Sequence, residues 1–192
     1  MNAEIVILIA AIIAAISSII TLGINLIASR SSELRVAYRN SLNPYLGELS
    51  NEIYSTIARS KIITKAKTTM AIASWRSRAK ESKTKLKQIR LVLRYQLWGI
   101  TDAMRTLALL PDWVEHARRF PGYSDELLRK GHTLGVALDK AILSAYTNGR
   151  RPNWLEQIRV HYAAKALRDV YKTMQDDELL RELVKDIHES DD

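Results

Sequence analysis

Residues 5–29, IVILIAAIIAAISSIITLGINLIAS, are 25 consecutive uncharged positions, and twenty of them are apolar if glycine is counted. At 1.5 Å of rise per residue, a helix of this length covers a hydrocarbon layer of about 30 Å with room for tilt. Serine and threonine hydroxyls can return to the helix backbone, which leaves Asn25, near the end of the run, as the costly residue. The preceding Met-Asn-Ala-Glu contains no Lys or Arg, unlike the basic start of a cleaved export signal. The first bases, Arg30, Arg35 and Arg39, follow the run. The sequence therefore predicts an uncleaved, single-pass transmembrane anchor over residues 1–29. Its N-terminus would lie outside and its C-terminal domain in the cytoplasm, as in a bacterial or archaeal inner membrane. A buried core helix is the competing reading, but 25 residues that are apolar all round exceed what most cores of this size enclose.

Within that run, Ala11, Ala14, Ser18, Thr21, Asn25 and Ala28 follow spacings of 3, 4, 3, 4 and 3. They form one small and polar stripe. Such stripes let helix backbones approach, so the expectation is transmembrane packing against a membrane protein partner or a second copy of the chain.

A chain of 192 residues supports one moderate core beside such an anchor. The absence of Cys removes disulfides, zinc thiolate sites and thiol nucleophiles. Charge is segregated: Arg59 to Arg94 holds twelve Lys or Arg residues against the single acid Glu81, whereas Asp169 to Asp192 holds nine acids against three bases. The net charge of +8 is thus a basic middle with an acidic end. That field suits an acidic protein, an anionic lipid surface or a nucleic acid.

Residues 30–44 read as a juxtamembrane helical extension closed by a turn at Asn43-Pro44, with Tyr38 and Tyr45 near headgroup depth. Residues 45–192 read as an all-α bundle of four or five helices. Leu46, Leu49, Ile53 and Ile57 mark the first. Leu86, Ile89, Leu93, Leu97, Ile100, Met104 and Leu107 line one face of a long second helix, ESKTKLKQIRLVLRYQLWGITDAMRTLALL, residues 81–110. Pro111 and Pro121-Gly122 mark breaks. Leu127, Leu134, Leu138, Ile142 and Ala145 mark a further helix with Ser124 as its N-cap, and Gly131 and Gly135 permit a close crossing. After the turn at TNGRRPNW, Leu155, Ile158, Tyr162, Ala166, Val170 and Met174 are the expected inner side. A last helix would start near Asp176, with Asp176, Asp177 and Glu178 in its first turn and Leu180, Leu183 and Ile187 buried. Trp98 and Trp154 are expected in the core, and Trp75 at an interface.

Catalytic motifs are missing from the sequence. His116, His132, His161 and His188 do not fall in a tight metal-ligand spacing, and Asp112, Glu115 and His116 supply at most part of a site. The segment Gly131-His132-Thr133-Leu134-Gly135 lacks the Lys and the preceding strand of a phosphate cradle. No catalytic, cofactor-binding or metal-binding residue is assigned. The expected function is that of a non-enzymatic, membrane-anchored interaction or accessory subunit. Its candidate contacts are Arg76, Lys80, Lys83, Lys87, Arg90 and Arg94, which share a face if the helix is continuous. The alternatives are sequence-non-specific nucleic-acid binding at a membrane through the same bases, and an enzyme with a site assembled from separated helices.

Overall fold

The computed structural model describes the backbone of residues 3–65 and 69–190, and the side chains of residues 16–65, 77, 80–81, 84–120 and 122–179. Among the described residues, six helices follow one another: α1 (Ala3–Lys65), α2 (Thr69–Val92), α3 (Thr101–Ala108), α4 (Leu110–His116), α5 (Pro121–Asn148) and α6 (Trp154–Ser190). A 3-10 turn, Ala117–Arg119, joins α4 to α5. Only Leu109 separates α3 from α4, and together they act as one bent unit, giving the expected all-α architecture as a five-helix bundle. Packing is most extensive between α5 and α6, then between α1 and both α5 and α2.

The core follows the periodic positions read from the sequence. Leu49 and Ile53 of α1, the whole stripe from Leu86 to Leu107, and Leu127, Leu134 and Leu138 of α5 are buried. A Cβ added at Gly131 would collide with Leu110 and one at Gly135 with Ile57, so the two glycines do allow close helix crossings.

The expected membrane anchor is not upheld. Among the described residues, no helix is long and apolar enough to cross a membrane. The side chains of residues 5–15 lie outside the described residues, and the described apolar part of the run, residues 16–29, rises only about 21 Å before Arg30 against about 30 Å of hydrocarbon. The single-pass topology, the outside N-terminus, the cytoplasmic placement and partnering within a membrane all depend on that span and lose their basis with it. Of the proposed packing stripe, Ala11 and Ala14 lie outside the described side chains, and Ser18, Thr21, Asn25 and Ala28 are all exposed. Tyr38 and Tyr45 are not at a headgroup boundary but pack against the protein core.

Several element boundaries also differ from the sequence reading. α1 runs through Asn43-Pro44 without a break, and it crosses residue 29 as well. Pro44 and Asn40, whose carbonyl the proline leaves without an amide donor, are both exposed, so water can satisfy the free carbonyl while Leu42 and Leu49 hold the helix on the bundle. The expected helix 81–110 divides at residues 93–100, where Gly99 takes φ +91°, a left-handed conformation open to glycine. Ser124 does not cap α5, which starts earlier, at Pro121; it is buried instead. The two expected C-terminal helices are one continuous α6. Of the expected inner side, Met174 is buried, Val170 packs against the core and Ala166 is half-buried, whereas Leu155, Ile158 and Tyr162 are exposed; Val160, Ala164 and Leu167 complete the buried face. α6 carries two apolar stripes, and only tertiary packing selects between them. Trp98 and Trp154 are 61% and 68% exposed rather than buried, and the Trp75 side chain lies outside the described residues.

Candidate interaction groove

The basic residues singled out from the sequence fall on α2 and the turn after it, since α2 runs unbroken from Thr69 to Val92. Lys80, Lys87 and Arg94 are exposed and Arg90 is half-buried, while the side chains of Arg76 and Lys83 lie outside the described residues. The buried face of the same helix, through Leu86 and Ile89, fixes its rotation there, which leaves Lys87 turned to solvent.

Packing of α3 against α2 then makes a concave site. Leu86, Lys87 and Arg90 of α2 and Met104, Arg105, Ala108 and Leu109 of the α3 region line a cavity of about 420 Å³. Its apolar lining is Leu86, Met104, Ala108 and Leu109, and its polar lining is three cations without an acid. Arg90 continues into an adjoining cavity of about 260 Å³ lined also by Leu91, Arg94 and Thr101. Among the described residues, no carboxylate comes within ion-pair distance of Lys87, Arg90, Arg94 or Arg105. Lys85, one residue from the groove, behaves differently. Its Nζ lies 3.5 Å from Glu81 and 3.9 Å from Glu52, which is 4% exposed, so Lys85 serves the bundle rather than its surface. Arg105 and Leu109 were absent from the sequence-level candidates because only the α2–α3 packing carries them to Lys87.

The second polar cluster joins α4 to α6. Trp113 stacks on Tyr171 with ring centroids 4.7 Å apart, and His116 reaches the Tyr171 hydroxyl with Nδ1 at 3.1 Å and Glu178 with Nε2 at 3.0 Å. With the carboxylate accepting from Nε2–H, a neutral ring accepts the Tyr171 hydrogen at Nδ1. Burial pushes the Tyr171 phenol above its ordinary range, and the charges of Glu178 and Asp112 add to the shift, so it remains a donor. Asp112, Glu115, His116 and Arg119 line an open depression here. Among the described residues, no group of three His, Asp or Glu side chains is placed to hold a metal ion. Asp177 accepts from the Tyr123 hydroxyl and Glu178 from His116. Both acids are therefore well inside α6 and tie it to α5 and α4, rather than opening a helix as the sequence suggested. The chemistry of this cluster is that of an inter-helix clasp.

No family model, curated protein or solved structure matches this chain.

Proposed function

We propose that this chain is a non-catalytic helical interaction module whose α2–α3 groove receives an acidic and partly apolar segment of a protein partner. The observation that carries this reading is the ring of Lys87, Arg90 and Arg105 around an apolar floor, with no acid in the lining. Cations on an exposed rim steer and orient an anionic partner, and the partly buried Leu109 offers apolar contact beside them. A helical or extended peptide carrying a few Leu or Met side chains beside Glu or Asp matches both. Nucleic acid fits less well, because single strands call for aromatic stacking surfaces and duplexes for cations tracking phosphates, and this groove is floored by aliphatic side chains.

The test uses a labelled synthetic helical peptide with Leu at i, i+3, i+4 and i+7 flanked by Glu, titrated with the full chain by fluorescence anisotropy. Reversal of two rim charges, Lys87→Glu and Arg105→Glu, weakens binding by about tenfold or more and flattens its salt dependence, because each rim cation contributes by long-range attraction. Helicity by circular dichroism stays unchanged, since Lys87 and Arg105 are exposed. Equal binding by the native and reversed chains, or no binding by either, would remove the groove as an interaction site.

A further inference from the structure

Resting on the groove reading above, we infer that the occupant of the α2–α3 groove is the acidic C-terminal segment, residues 179–192, of a second copy of this chain. The segment LLRELVKDIHESDD carries Glu182, Asp186, Glu189, Asp191 and Asp192 against Arg181 and Lys185. It is therefore opposite in sign to the groove rim. Leu180, Leu183, Val184 and Ile187, whose side chains lie outside the described residues, stand at i, i+3, i+4 and i+7 in the sequence, one apolar helical stripe that can meet Leu109 beside the rim. A cavity of about 420 Å³ lies within the range of well-formed binding pockets, which suits two or three aliphatic side chains.

The backbone of this segment is helical in α6 as far as Ser190. Binding therefore does not incur the full cost of ordering a disordered tail. Its course also decides between the chain's own groove and a neighbour's. Along α6, Gln157 lies against Gly99, Arg168 Nη1 reaches Asp102 at 3.3 Å, Tyr171 stacks on Trp113, and Glu178 pairs with His116 at the end of α4. The helix thus passes α3 first and α4 afterwards, and twelve further residues carry it about 18 Å onward to Ser190. That course leads away from the groove beside Met104 and Leu109. A second molecule can present the segment without bending it.

A tail-to-groove contact either closes as a reciprocal two-fold dimer or, repeated head to tail, forms a ring or an open chain. Two measurements test it. First, a labelled peptide of residues 179–192 is titrated with a chain ending at Glu178, which keeps both clasp contacts of Asp177 and Glu178. The peptide binds, and Lys87→Glu with Arg105→Glu weakens that binding by about tenfold. Second, light scattering follows the mass of the full chain with rising concentration. The tail-to-groove component disappears on ending the chain at Glu178 and on reversing the rim. It returns when the reversed rim is combined with Glu182→Lys, Asp186→Lys and Glu189→Lys. If the Leu/Glu peptide binds the groove but the 179–192 peptide does not, self-docking is wrong and the groove reading stands. If neither binds, both fall. Peptide binding that ignores the rim reversal, or assembly that ignores both tail removal and rim reversal, also overturns the assignment.

Discussion

At the scale of single residues, Tyr38 shows how a position that reads as interfacial in the sequence becomes structural. Its hydroxyl donates to the Gln96 carbonyl at 2.6 Å, tying α1 to the turn that follows α2. Burial raises the phenol from 10.0 to about 12, and the charge of Arg151 pulls it partly back. Because the folded value lies above the unfolded one, the protonated phenol is favoured by folding. Its contribution is complete below about pH 10 and is lost as pH rises through about 12. The side chain is only partly buried and solvent screens it in part, so this alkaline loss amounts to about 1–2 kcal/mol. Tyr38→Phe is expected to cost about 1 kcal/mol at neutral pH through the missing hydrogen bond. It also flattens the fall in denaturation midpoint between about pH 10 and 12, measured by urea unfolding across that range. A native-like alkaline slope in the variant would show that other groups carry it. Gly149 is the residue-scale counterpart at a helix end: it caps α5 at φ +61°, and a Cβ there would come 2.9 Å from the Arg35 carbonyl oxygen of α1. Glycine is required by conformation and by proximity together.

At the scale of elements, the start of α6 is set by a reciprocal pair. Asn153 Oδ1 accepts from the Glu156 amide at 2.9 Å, and Glu156 Oε2 accepts from the Asn153 amide at 2.7 Å. This is a capping box, and it follows the buried Pro152. Asn153→Ala should lower stability by about 1 kcal/mol, read as a shift in denaturant midpoint, while Asn153→Ser recovers most of it. No loss with Ala would mean that packing of Pro152 and Val160 alone fixes the helix start. The periodic stripes of α2, α3 and α5 were legible because each has one apolar face. α6 departs from its spacing in its first turns, where Leu155, Ile158 and Tyr162 offer a second apolar face, while Val170 and Met174 farther along are at the core as expected. Pro44 misled for a related reason. A proline is costly inside a helix in isolation, yet in α1 the flanking Leu42 and Leu49 are both fully buried and hold the helix across it.

At the scale of the whole molecule, the described side chains of residues 16–34 in α1 stand apart from the bundle core. None of the described side chains from Ile16 to Leu34 belongs to the core, and Ile19 and Ile27 are 71% and 72% exposed. Packing against the bundle is evident at Arg35, beside Gly149, and continues through Leu42. Removing residues 1–30 should therefore leave the thermal midpoint of the bundle within about 2 °C of the full chain by circular dichroism. A larger fall would reveal stabilising contacts from the removed segment. The sequence by itself determined the all-α class, the core stripes of α1, α2, α3 and α5, and the segregation of basic middle from acidic end, because helical periodicity and charge order are properties of the linear chain. Only the tertiary structure decided which face of α6 is buried, that α1 continues through Pro44, and that Arg105 joins Lys87 and Arg90 around one groove. Each of these depends on which surfaces meet in three dimensions, and local spacing does not encode that choice.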